Sequence, residues 1–174
     1  WNKNDFEKIL EEELNQRALT TTKFNFKSEY AEKLNSLGIK TNHPRKDNIK
    51  LEDLFVFPHI KQLSLHTNIS KQFPKISSEK LLNDEIGLNI LYGEDNSGKT
   101  ILSYVYQKKL KELNYLPINI NCTDFKNKVQ KEDIEKVIRS TFKRQFKTSD
   151  SIFREYDKYD RNKVVLILED FHKS

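Results

Sequence analysis

The stretch that most constrains this chain is residues 88–100, L-N-I-L-Y-G-E-D-N-S-G-K-T. It matches G-x-x-x-x-G-K-[ST], a phosphate-binding loop that belongs between a strand and a helix. The backbone N–H groups of Glu94, Asp95, Asn96, Ser97, Gly98 and Lys99 are expected to turn inward as a nest for phosphate oxygens. Gly93 and Gly98, one at each end, are expected to supply the backbone angles for that turn. The Lys99 ammonium suits the β- and γ-phosphates of a nucleotide, and the Thr100 hydroxyl suits Mg²⁺. Ile101 closes the binding stretch in a helix whose positive dipole end faces the same charge. The plainer alternative, a strand-to-helix turn with a surface lysine, gives no reason for Lys99 and Thr100 to follow the second glycine.

The flanks carry the pattern that this loop requires. Residues 88–92 are apolar and partly β-branched, which predicts a strand, and Leu102, Val105, Tyr106, Leu110 and Leu113 recur at helical spacing. Residues 115–121 predict a second strand, entered through Pro117 as an edge position allows. Strand, helix and strand make a βαβ unit, hence parallel strands and a right-handed crossover. Ile134, Val137, Ile138, Phe142 and Phe146 then mark an amphipathic helix. Its other face carries Lys131, Lys136, Arg139, Lys143 and Arg144, expected to be solvated, with nucleic-acid backbone contact as the alternative.

A second piece of chemistry follows at residues 164–168, V-V-L-I-L, an apolar run of the kind expected for a strand buried on both faces. It ends in Glu169 and Asp170, at the carboxyl end of a strand, where open α/β sheets bind ligands. This reads as a Walker B motif, with one carboxylate on Mg²⁺ and the other polarising the attacking water. Successive strand residues point to opposite sides, so the two roles differ. Glu169 is expected on the metal and Asp170 as base, with the swap left open. Both therefore join Lys99 as candidate catalytic residues and Thr100 as candidate metal ligands.

The upstream part reads as small helices and loops. Asn4 or Asp5 caps a helix with Phe6, Ile9, Leu10 and Leu14 on one stripe, ended by threonines at 20–22. A second helix fits 28–37, with Tyr30, Leu34 and Leu37 inward and Gly38 as the stop. Residues 42–48 and 68–74 read as loops. The run Leu54-Phe55-Val56-Phe57 before Pro58 predicts a short strand or extended segment, either in the core or over a nucleotide base. His59 and His66 lack partners at metal-ligand spacing and are expected on the surface. Ser77 or Ser78 is expected to cap a short helix through Leu82. Two regions result: a helical segment and linker over 1–48, and a nucleotide-binding domain over 49–174.

Composition narrows the class. No apolar run approaches the ~20 residues of a membrane span. The net charge of +5 permits nucleic-acid contact without arguing for it. Cys122 is the single cysteine, which excludes an internal disulfide and suits the cytoplasm. Trp1 and the absence of Met lead us to expect a piece of a larger protein.

Together, G-E-D-N-S-G-K-T and V-V-L-I-L-E-D-F-H-K-S resemble the nucleotide-binding module of the STAND class of P-loop ATPases, the NACHT- and AP-ATPase-like signalling switches of bacterial defence and of plant and animal immunity. The string H-P-R-K-D-N-I-K-L-E-D-L-F-V-F-P, residues 43–58, resembles the region ahead of the loop in bacterial members. The resemblance spans roughly residues 28–174. It implies a three-layer α/β/α domain with a parallel sheet, here reading as truncated after the Walker B strand. It also implies ATP and ADP rather than GTP, slow turnover, and self-association on a trigger. In that class the two acids are commonly both Asp, and Glu169 departs from this. A DNA-associated AAA+ ATPase and a nucleotide-locked scaffold that never turns over are the competing functions.

Overall fold

The computed structural model describes residue 8 and residues 24–36, 49–61, 75–82, 87–125 and 130–171. The expected helix around Phe6 and Leu14, the threonines at 20–22, Leu37, Gly38, His66 and the loops at 42–48 and 68–74 lie outside the described residues.

The described part is mixed α/β. Helix α1 (Ser28–Asn35) and the one-turn α2 (Leu51–Leu54) precede a small antiparallel pair, β1 (His59–Lys61) and β2 (Lys75–Ser77), and a 3₁₀ turn at Ser78–Leu82. There follow α3 (Lys99–Glu112), β3 (Leu116–Asn121), α4 (Lys131–Gln145), α5 (Asp150–Lys158) and β4 (Val164–Glu169). Strands β3 and β4 run parallel in one register, from Leu116 opposite Val164 to Asn121 opposite Glu169.

Alternation along these strands sends side chains to two different cores. Leu116, Ile118, Ile120 and Val164 pack with Phe24, Phe142, Phe146 and Tyr156, which places α4 and α5 on one face. Val165 and Ile167 pack with Leu102, Tyr106 and Leu110, which places α3 on the other. Ile118 and Ile120 are fully buried, each worth about 1.5–3 kcal/mol relative to exposure. Phe142 anchors the first core, its ring 4.5 Å from Tyr156 and 5.0 Å from Phe146 in stacked pairs.

The far edge of β3 is closed by a side chain. Gln145 at the end of α4 accepts the Asn119 N–H at 3.2 Å through Oε1 and donates Nε2 to the Asn119 carbonyl. Residues on either side of this contact pair with the chain ahead of α1: Lys27 N–H donates to the Gln145 carbonyl at 2.9 Å, and Lys147 N–H to that of Asn25 at 2.8 Å.

Several expectations need correction. Residues 88–92 form no strand; Leu88, Ile90 and Tyr92 are 92%, 78% and 94% exposed. A strand persists only where its backbone groups are paired, and β3 and β4 pair only with each other among the described residues. Of the two readings of 54–57, the strand is absent and the extended segment is present: Leu54 ends α2, and Phe55 follows in extended backbone, with the Phe55 and Phe57 rings against the α3 core. Strand β4 is not buried on both faces, since Leu166 and Leu168 are 42% and 45% exposed. Leu113 and Ile134, expected inward, are exposed near the ends of α3 and α4. Helix α5 is an element beyond those that the sequence pattern predicts. His59 is exposed, as its isolation suggested. No described helix is long and apolar enough to cross a membrane.

Candidate functional site

The loop at 93–98 leads directly into α3, whose N-cap is Gly98 at φ 84°. A side chain there is strained, which explains this glycine. The second left-handed residue is Asn96 at φ 59°, a residue type that tolerates the conformation. Gly93 differs from the expectation. It has no left-handed angle; instead a Cβ at Gly93 would lie 3.0 Å from Ser97 Oγ, so its role is close approach.

The Lys99 ammonium folds back into this turn. It donates to the carbonyls of Gly93 at 2.8 Å and Glu94 at 2.6 Å, and to Ser97 Oγ at 3.3 Å. The Ser97 N–H is also spent within the turn, on the Glu94 carbonyl at 3.3 Å. The loop therefore carries its cation on an inner ring of carbonyls. Glu94, Asp95, Asn96, Ser97 and Thr100 are exposed, whereas Gly93, Lys99 and Ile101 are half-buried.

Helix α3 is fixed on several sides. Leu102, Tyr106 and Leu110 are buried against β4, and the Tyr106 hydroxyl donates to the Ser78 carbonyl at 2.7 Å. Burial pushes the Tyr106 phenol above its ordinary value. Lys108 donates to Asn35 Oδ1 and Glu52 Oε2, both at 2.7 Å, tying α1 and α2 to α3. That hydrogen bond holds the Glu52 carboxyl below the usual range. Tyr30 of α1 donates to Gln107 Oε1 at 2.8 Å. Burial raises the Tyr30 phenol strongly, opposed by this bond and reinforced by the Glu169 charge.

The second motif meets the first on α3. Glu169 Oε1 accepts from Ser103 Oγ and from Asn119 Nδ2, the latter at 2.8 Å. Ser103 stands one turn beyond Thr100 and also contacts the Thr100 carbonyl at 2.8 Å. Asp170 lies apart, at φ 56°, with Asn121 Nδ2 3.4 Å from its Oδ2. The Thr100 hydroxyl and the Lys99 ammonium form no hydrogen bond to either carboxylate among the described residues. Ser103, Asn119 and Asn121 had not been singled out, although polar residues at 119 and 121 interrupt an otherwise apolar strand.

The described residues contain no cluster of three or more His, Cys, Asp or Glu able to hold a metal. The donor chemistry nevertheless fits Mg²⁺, which needs only one or two carboxylates beside water and phosphate oxygens. Thr100, Glu169 and Asp170 supply a hydroxyl and two carboxylates, and Glu169 Oε2 accepts no hydrogen bond from the described residues. Beside this group, Cys122 is 1% exposed. Burial pushes its thiol up, and the Asp170 charge adds to the effect. Comparisons with family models, with curated proteins and with solved structures found no match to this chain.

Proposed function

We propose that this chain is the nucleotide-binding part of a STAND-type molecular switch that holds Mg-ATP at residues 93–101 and hydrolyses it slowly. The observation that carries the reading is the meeting of two motifs on one helix. Lys99 opens α3 inside its own loop, and one turn later Ser103 engages Glu169 from 66 positions along the chain. A surface lysine followed by an unrelated acidic turn gives no reason for that convergence. The placement of α3 on one sheet face and of α4 and α5 on the other supports a three-layer P-loop domain.

Each residue then has a task. The Lys99 ammonium leaves the Gly93 and Glu94 carbonyls for the β- and γ-phosphates, exchanging neutral acceptors for charged ones, which hydrogen-bond more strongly. The N-terminus of α3 favours the same anions. Mg²⁺, when bound, supplies charge neutralisation at the phosphates; Thr100 and Glu169 would hold it. Ser103 and Asn119 fix one oxygen of Glu169, which suits a ligand that must not move. Asp170, which Asn121 Nδ2 approaches to 3.4 Å at the carboxyl end of β4, is the carboxylate left to orient and deprotonate water. ATP as substrate and self-association follow from the family resemblance, and a cytoplasmic setting from the single cysteine.

The test is to denature the longest soluble form, identify any released nucleotide by chromatography, and titrate the emptied protein with Mg-ATP by calorimetry. Bound ADP, or saturable binding that Lys99→Ala abolishes, is expected. An empty protein that binds neither nucleotide overturns the reading.

A further inference from the structure

On the sheet face opposite α3, helices α4 and α5 border a shallow, open cleft of about 580 Å³. Four cationic side chains line it: Lys136, Arg139 and Lys143 from α4, and Arg154 from α5. Ser140 and the Phe153 ring complete the wall, and Asp150 is the one acid in it. The ATP reading uses none of these residues.

We propose that this cleft binds the phosphate backbone of a single-stranded nucleic acid. Lys136, Arg139 and Lys143 recur on successive turns of α4, which spaces charge over about 10 Å along the cleft at a rise of about 1.5 Å per residue. Two of the four cations are in no ion pair among the described residues. Lys143 and Arg154 have no carboxylate partner among the described residues; the Lys143 ammonium lies 4.6 Å from the centre of the Phe153 ring. The other two are in exposed pairs, Lys136 with Asp133 at 3.4 Å and Arg139 with Asp157 at 2.5 Å. Such pairs contribute little and exchange readily for a phosphate. The Ser140 hydroxyl, which donates to the Val137 carbonyl at 2.9 Å, would exchange that neutral acceptor for a charged phosphate oxygen.

The occupant follows from charge. Three of the cations run in line along α4 and Arg154 of α5 shares the same open cleft, so a flexible polyanion that bends to follow them can meet all four. The cleft lacks an aromatic face for base stacking, because the Phe153 ring is engaged by Lys143 and by Phe142 at 5.9 Å. Binding is therefore electrostatic and indifferent to sequence.

The test is fluorescence anisotropy of the full chain with labelled oligo-dT and oligo-U at two salt concentrations. Neutralising about three phosphates predicts roughly a twentyfold loss of affinity between ~50 and ~200 mM salt. Lys143→Glu with Arg154→Glu should weaken binding at least tenfold, while Lys99→Ala leaves it unchanged. Both substituted residues are exposed; circular dichroism checks the fold, and the milder Lys143→Gln with Arg154→Gln should give an intermediate loss. Absence of binding at low salt, or binding indifferent to both double variants, overturns the proposal. So does capture by phosphatidylserine-containing vesicles, lost in the same variants, without oligonucleotide binding.

Discussion

Ser103 and Glu169 form the contact on which the site turns. The serine hydroxyl lies between the Thr100 carbonyl of its own helix, at 2.8 Å, and the Glu169 carboxylate at the end of β4. It carries one proton and meets two acceptors, so the carboxylate, being charged, is the stronger claimant. The first turns of α3 are thereby coupled to the sheet.

Ser103→Ala should separate binding from turnover. Glu169 would keep only Asn119 as donor, and removing a bond to a charged group costs about 1.5–3 kcal/mol when the partner stays buried. Calorimetry should show ATP affinity nearly retained while single-turnover hydrolysis slows at least tenfold. Equal loss of both would mean that the serine merely holds the helix.

At the loop, Lys99→Ala should abolish the thermal shift produced by Mg-ADP, because the phosphates lose their cation. Gly98→Ala should instead destabilise the chain by about 1 kcal/mol through its left-handed angle. Urea denaturation reads the second effect without nucleotide present.

The two carboxylates are told apart by isosteric change. Asp170→Asn should leave Mg-ATP bound and unhydrolysed, whereas Glu169→Gln should weaken the Mg²⁺ dependence of binding. Hydrolysis surviving in Asp170→Asn and lost in Glu169→Gln would exchange the roles.

Phe142 is fully buried at the centre of the aromatic core. Its replacement by alanine should cost about 3–5 kcal/mol, read as a drop in the urea midpoint.

Cys122 offers a pH readout. Its thiol is raised in the fold, by burial first and by Asp170 second, so the folded state favours the protonated form. That contribution is fully present below the ordinary thiol value of about 8.5 and is lost as pH rises through the raised one. Disulfide-reagent labelling of the native protein should therefore accelerate only above that ordinary value, and Asp170→Asn should move the onset down. Rapid labelling at neutral pH would contradict the burial.

Much of this was legible because period and motif are local. The spacing of Leu102, Tyr106 and Leu110 predicts α3, and the run from Val164 to Leu168 predicts β4. Residues 88–92 carry an equally good strand pattern, yet a strand exists only with a partner, and pairing is not a local property. Helix α5 escaped notice because it is short and highly charged, although Ser149, whose Oγ accepts the Ile152 N–H at 3.4 Å, is a readable cap. Asn119 and Ser103 matter only because Glu169 arrives from far along the chain. No spacing rule reaches that distance.

The amide of Gln145 bears on solubility and on growth. By occupying both backbone groups of Asn119 it impersonates a neighbouring strand and ends the ladder on that side with a helix. A stray edge from another molecule finds that flank already occupied, a guard against edge-to-edge aggregation. A further strand would consequently have to pair along β4, whose other edge meets no strand among the described residues.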